Sequence, residues 1–271
     1  MASKTTSIPL EVAVFSGESI IKAQSQGASR VELNAPDSYH VGGLTPPVTE
    51  LTTLASQITI PVRIMIRPRA APADGSPDFI YSLEEFKEMT QSIKAFKATG
   101  LLNPIRGDGF VFGLLQPAKT VNPSSGEPDL FQINEAACRT LIATAKPFGC
   151  VFHRAFDPIA ATKRIGDGVD TLINLGFEGL LTAGGYGACE SNIDRIDHEC
   201  HKKAGKLQFI VGGGLRASNI EHVAKRFTAY EKGSVWMHTA ALTDRADHHP
   251  EEIDSTELID MMASLDSISV H

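Results

Sequence analysis

A charged side chain inside an apolar, β-branched run is costly to desolvate unless something of opposite sign faces it. The sequence carries several. Glu11 lies in PLEVAVF (9–15) and Glu32 in RVELN (30–34), while Arg67 and Arg69 follow VRIMI (62–66), His153 closes CVFH (150–153) and His238 closes SVWMH (234–238). Strand alternation puts Glu11, Ala13 and Phe15 on one face, Glu32 with Asn34, and Met65 with Arg67 and Arg69. The planar forks of the arginines suit a carboxylate or phosphate, and Glu and His can move protons or hold a metal. Two readings follow. Glu11 and Glu32 pair with Arg67 and Arg69 in a buried network that fixes register, or the same groups surround a ligand; both can hold at once.

Two further stretches carry weaker signals. In IVGGGLRASNIEHV (210–223) Gly212, Gly213 and Gly214 follow a strand and precede a helix start, a setting in which glycine lets backbone N–H groups approach an anion. The plain alternative is a tight turn needing positive φ. In DRIDHECH (194–201) Asp194, Asp197, His198 and His201 share one helical face beside Cys200, a set that could take Zn²⁺ or Cu²⁺. A solvated outer face is the favoured reading there, as it is for His248 and His249 in DHHPEE.

The elements that must position these groups alternate. Eight short aliphatic runs, the five above plus GFVFGLL (109–115), GLLTA (179–183) and LQFIVG (207–212), are separated by helical stretches. The latter are at about 17–27, 47–57, 82–99, 132–146, 158–175, 192–204 and 217–228, with an eighth near 255–266. Strands apolar on both faces suit a parallel sheet covered by helices, and eight βα units predict an α/β fold closed as a (β/α)8 TIM barrel. A doubly wound open sheet is the runner-up. The chain reads as a single domain over 1–271, with the barrel at about 9–241 and a C-terminal helix and tail over 242–271. Loops at 70–77, 101–108 and 117–128 are rich in Pro, Gly and Ser and are expected as surface excursions after strands three and four. In such a barrel ligands bind where the strands end, so the arginines and histidines belong at one mouth.

Composition removes other classes. With 271 residues, Lys+Arg 25 and Asp+Glu 32, the net charge is −7, and 42% of residues are hydrophobic, enough for a folded core. An acidic chain of pI near 5.7 has no electrostatic footprint for nucleic acid. No apolar run approaches the roughly 18 residues that span a bilayer, and Met1–Pro9 has no signal-peptide core, so no membrane association is expected. The four cysteines, Cys138, Cys150, Cys189 and Cys200, form no C-x-x-C pair, which fits packed thiols in a reducing cytoplasm. A homo-oligomer built through outer helices is the default association for a barrel.

From about Leu10 to Ala241 the sequence resembles the CutC copper homeostasis family. The matching blocks include EVAVFSGESIIKAQSQGASRVELN (11–34), GGLTP (42–46), IPVRIMIRPR (60–69), FHRAFD (152–157), LLTAGG (180–185), VGGGL (211–215) and MHTAA (237–241). The resemblance implies a TIM barrel with an intracellular role in copper handling, copper as the expected metal, and no settled reaction. Glu11, Glu32, Arg67, Arg69, His153, Asp157 and His238 coincide with motif positions and are the catalytic candidates. Many members read EVC and IELC where this chain reads EVA and VELN, so Ala13 and Asn34 stand where soft thiol ligands would be expected. The metal candidates that remain at the carboxyl-terminal mouth are His153, His238 and Met65. The other reading is an enzyme of unnamed reaction acting on a small anionic or phosphorylated metabolite. There Arg67, Arg69 and Gly212–Gly214 would hold the anion, His153 or His238 would act as acid or base, and Glu11 or Glu32 as base or metal ligand.

Overall fold

The computed structural model describes residues 8–118, 131–244 and 249–268. Eight parallel strands close into a barrel: β1 (Leu10–Val14), β2 (Arg30–Leu33), β3 (Val62–Met65), β4 (Gly109–Phe112), β7 (Gly149–Phe152), β8 (Gly179–Thr182), β9 (Gln208–Gly212) and β10 (Val235–Thr239). The remaining two, β5 (Leu115–Pro117) and β6 (Phe131–Ile133), form a separate antiparallel pair. Around the barrel lie α1 (Gly17–Ser25), α2 (Thr49–Thr52), α3 (Leu83–Ala98), α4 (Glu135–Ala145), α5 (Asp157–Ala160), α6 (Ile165–Leu175), α7 (Ile193–Lys203), α8 (Ile220–Lys225) and α9 (Ser255–Asp266). The expected (β/α)8 barrel is therefore the fold, and the open sheet is not.

Alternation along each strand divides the core in two. Leu10, Val12 and Val14 of β1, with Val31, Leu33, Val62 and Ile64, point outward into the large cluster shared with the helices. The inward positions hold a smaller apolar layer of Met65, Val111, Val151, Leu181 and Ile210, backed by Trp236. Burial of both faces explains why the strands read as continuous apolar runs. The inward layers above and below that belt carry the charged groups.

Several expected elements are shorter than the sequence suggests. The helix expected over 47–57 is reduced to α2 and a 3-10 turn, Ala55–Gln57, in a stretch rich in β-branched threonine. The span 158–175 divides into α5 and α6, and the span 217–228 contains only α8. The run 109–115 breaks at Gly113, where the ring of His153 would lie 2.6 Å from any added Cβ. Helix α4 starts at Glu135 because the Asn134 side chain accepts from the N–H of Ala137, so residues 131–133 are free to pair with β5.

The loop at 70–77 follows β3 at the mouth. The loop at 101–108 does not follow a strand: it precedes β4, at the opposite end. There Asp108 accepts from the N–H groups of Val62 (2.9 Å) and Asn103 (2.8 Å) and pairs with Arg106, so its role is to tie the floor of the barrel. The expected loop 117–128 lies outside the described residues beyond position 118, as does His248.

Candidate functional site at the barrel mouth

Strand register builds the site. Glu11 lies beside Arg30 of β2 on one side and His238 of β10 on the other, and Ala13 lies beside Glu32. Arg30 donates through Nε to Glu11 Oε2, and His238 Nδ1 sits 2.8 Å from Glu11 Oε1. Burial alone would push the Glu11 carboxyl up, but Arg30 and His238 hold it at about 2. Burial also works to lower the His238 imidazole, and the bond to Glu11 with the charges of Glu32 and Glu11 overcomes it, so its pKa is raised. For Glu32 the charges of His238 and Arg30 do not offset burial. Burial and the neighbouring Glu11 charge push it up, Asn34 Nδ2 reaches one oxygen at 3.3 Å, and Oε2 has no protein partner. Among the described residues, Glu11, Glu32 and His238 form a group whose ligand atoms all lie within 4.8 Å of one another.

Above this group opens a cavity of about 540 Å³, lined by Glu32, Asn34, Met65, Arg67, His153 and His238 among others. It lies at the carboxyl ends of the strands, as a barrel requires of its ligand site. His153 is buried at the end of β7. Its Nδ1 accepts from the backbone N–H of Ala155 at 3.1 Å, Phe79 packs against its ring with centroids 4.9 Å apart, and Nε2 has no protein partner. A backbone N–H can only donate, so Nδ1 carries the lone pair and Nε2 carries the proton. Burial, and then the Arg67 charge, hold the ring neutral, with a pKa of about 3. The ring therefore carries at Nε2 a buried donor without a protein partner. That corrects the expectation of His153 as a metal ligand, because a ligand nitrogen must present its lone pair.

The arginines divide differently from expectation. Arg67 lines the cavity, but its Nη1 donates to the carbonyls of Val41 (2.5 Å) and Gly43 (2.9 Å), and its Nη2 pairs with Asp78 at 2.9 Å. Only Nε lacks a partner. Arg69 is not at the cavity: it pairs with Glu85 and donates to the carbonyls of Ala70 and Ile80. The expected pairing of Glu11 and Glu32 with these two arginines does not occur, since Glu11 takes Arg30 instead. Asp157 lines the mouth with both oxygens engaged, Oδ1 by Thr182 (2.6 Å) and the N–H of Ala183 (2.9 Å), Oδ2 by Arg154 (2.7 Å). Burial nevertheless leaves its pKa raised. It positions Arg154. Gly213 and Gly214 line the cavity with φ of 116° and 82°, a backbone path that favours glycine. Gly212 does not reach the cavity, and its missing Cβ instead leaves room for Leu181 and His238.

Sequence reading missed Arg154 and Arg216, the cavity arginines whose charge is most available. Arg154 keeps a side chain about half exposed while paired with Asp157, and the contact of Arg216 is a long one, 3.3 Å from Nη1 to the Leu215 carbonyl. The signal was present, since each directly follows a residue already marked: His153 in one case, the glycine triplet and Leu215 in the other. The DRIDHECH face gathers no metal set. Asp194 and Asp197 pair with Arg226 on the outer surface, and His198 contacts Lys202.

All four cysteines are free and buried, and none lines the cavity. Burial pushes the thiols of Cys138 and Cys150 to about 12 and that of Cys189 to about 11. Copper as cargo would thus find no thiolate at the mouth. The donors it would find there are the His238 imidazole, the Met65 thioether and the Glu32 carboxylate, nitrogen and thioether serving Cu(I) and the carboxylate serving Cu(II).

The fold and this site define a (β/α)8 barrel with a polar binding cavity at its carboxyl-terminal mouth. The CutC family model matches residues 8–237, and the chain belongs to that family. A CutC family protein of Treponema denticola is 32% identical over 238 residues, 88% of this chain and 83% of that one. The Homo sapiens copper homeostasis protein cutC homolog is 32% identical over 226 residues, 82% of this chain and 71% of that one. A crystal structure of CutC from Streptococcus agalactiae superposes with a TM-score of 0.67 at 24% identity, covering 86% of this chain and 98% of the other, a likeness of fold.

Proposed function

We propose that this chain serves copper homeostasis in the cytoplasm and handles copper at the mouth of its barrel. Family membership over residues 8–237, with relatives that carry that function in their names, supports the role. The observation that carries the location is the convergence of Glu11, Glu32 and His238 beneath a cavity that Met65 also lines. Copper would be held by His238, Met65 and Glu32, with Glu11 fixing the imidazole by accepting from Nδ1, as second partners of metal-bound histidines commonly do. Four buried thiols without disulfides accord with a reducing compartment. Among the described residues no helix is long and apolar enough to cross a membrane. The test is an anaerobic Cu(I) titration of the reduced protein against a competing chelator. Wild type is expected to take up copper stoichiometrically, the His238→Ala, Met65→Leu variant to lose it, and His153→Asn to keep it. Absence of uptake by folded wild type overturns copper binding at this mouth.

A second reading is favoured by a specific observation. No thiol lines the cavity, whereas the His153 imidazole, with its unpartnered Nε2, and two rim arginines do. Those groups suit an enzyme acting on a small anionic metabolite.

A further inference from the structure

We propose that the mouth cavity takes a small carbonyl compound bearing a phosphate or carboxylate, with the Nε2–H of His153 on the carbonyl oxygen, Arg154 and Arg216 on the anionic end, and Glu32 moving a proton at the neighbouring carbon. This deepens the enzyme reading and rests on it.

The geometry of His153 carries the inference. Its Nδ1 is committed to the N–H of Ala155 at the start of a short 3-10 turn, Arg154–Phe156, so the ring cannot become an imidazolium without breaking that bond. The Nδ1–Cε1 edge is packed on Gly113 and Ala155, where an alanine in place of Gly113 would put its Cβ 2.6 Å from Nδ1. What remains is one donor on Nε2, buried and without a protein partner in a wall of the cavity. Leaving a donor buried and unpaired is costly, and a ligand oxygen would remove that cost. A neutral imidazole is well suited to a carbonyl. It can strengthen its bond as charge grows on the oxygen, and it does not first neutralise an anionic substrate or a nearby base. The Arg67 charge reinforces the neutral form and adds positive potential.

The rest of the cavity supplies complementary parts. Arg154 is held by Asp157, and Arg216 follows the Gly213–Gly214 turn, so two guanidinium groups from different loops stand at the rim. A carboxylate with an unpartnered oxygen, Glu32, lies on the inner wall. The step it allows balances without a co-reactant. The Glu32 carboxylate takes a proton from the carbon next to the carbonyl, the C–H electron pair becomes a C=C bond, and the carbonyl π pair moves to the oxygen, which His153 stabilises. Return of a proton from Glu32 to the carbon that lost it completes the exchange.

Three measurements on the full-length protein test this. Nitrogen-15 NMR of the His153 ring between pH 5 and 8 is expected to show Nε2 protonated and Nδ1 unprotonated throughout; a proton on Nδ1 at pH 7 overturns the proposal whatever any variant does. Phosphoglycolate, which carries both a phosphate and a carboxylate, is expected to bind by calorimetry. His153→Asn, whose side-chain oxygen can still accept from Ala155, should weaken binding tenfold or more, and Arg216→Met likewise. In D2O, wild type should wash deuterium into dihydroxyacetone phosphate and Glu32→Gln should not; binding of this probe without exchange overturns the proton-transfer step. Phosphoglycolate binding that needs Arg216 but ignores His153→Asn overturns the role of His153 and leaves the small-anion reading standing. Failure of folded wild type to bind phosphoglycolate overturns both.

Discussion

The two ends of the barrel interior both bury charge, yet only one of them is a site. At the floor, Arg63 is fully buried and pairs with Glu178 at 2.8 Å, while Arg30 pairs with Glu11, donates to Gln208 at 2.8 Å and lies 4.1 Å from the centroid of the Trp236 ring. Gly109 and Gly149 pair across β4 and β7 beside the Arg63 guanidinium, and a Cβ on Gly109 would fall 2.2 Å from its Nη1 and 2.3 Å from the Gly149 carbonyl oxygen. Glycine is needed there to seat a guanidinium. At the mouth Glu32 and His153, each with a buried unpaired atom, line a cavity of about 540 Å³. Arg63 too keeps nitrogens without partners, so hydrogen-bond satisfaction does not separate the two ends. Space does: a floor packed to contact distance fixes the register of the strands, and a cavity leaves the same chemistry for a ligand.

The largest effect should come from breaking the floor. Arg30→Met strips Glu11 of its buried cation, and uncompensated buried charge of this kind costs about 3–5 kcal/mol. Urea unfolding at pH 7 measures it. The acid limb should change as well. With a folded pKa of about 2 against an ordinary 4.5, Glu11 stabilises the native state above pH 4.5 and loses that contribution as pH falls toward 2. In Arg30→Met that loss should be much reduced. A cost below about 1 kcal/mol would mean that the Arg30–Glu11 pair does not hold the floor together.

The two mouth histidines sharpen the comparison at intermediate size, because their signs are opposite. His153 has its folded pKa depressed to about 3 from 6.5, so the unfolded chain binds the proton first and stability falls as pH drops from 6.5 toward 3. His238 has its folded pKa raised, so its contribution is full below 6.5 and is lost as pH rises through the folded value. Each slope is at most about 1.4 kcal/mol per pH unit. His153→Asn should flatten the acid side of a stability–pH curve, and His238→Gln the side above 6.5. Identical curves for the two variants would show that the imidazoles do not differ in protonation as their partners require.

The sequence was most legible where alternation and burial act together. The eight strands, the inward facing of Glu11, Glu32 and His238, and the gathering of motif residues at one end all follow from period-2 patterning in a closed parallel sheet. What it could not show was which cation meets which anion. Glu11 is as close in pattern to Arg67 as to Arg30, and only the register, Glu11 beside Arg30 and beside His238, decides between them. Nor could it show the tautomer of His153, which depends on one backbone N–H two residues on. Spacing also overreached at Arg69, since alternation continues past the end of β3 at Met65 while the chain itself turns away toward Tyr81 and Glu85.

That overreach gives the smallest prediction. Arg69 is about one quarter exposed and pairs with Asp78 at 3.6 Å and with Glu85, the residue that completes the capping box of α3 with Ser82. Partly solvated pairs of this kind contribute about 0–1 kcal/mol, and the reciprocal bonds between Ser82 and Glu85 survive loss of the arginine. Arg69→Ala should therefore cost no more than about 1 kcal/mol in urea unfolding and leave Cu(I) and phosphoglycolate binding within twofold of wild type. Arg216→Met should do the reverse, leaving stability near wild type while weakening phosphoglycolate. If Arg69→Ala weakens either ligand tenfold, the site extends outward past Asp78, and the boundary between a rim that binds and a rim that braces α3 lies beyond Arg69.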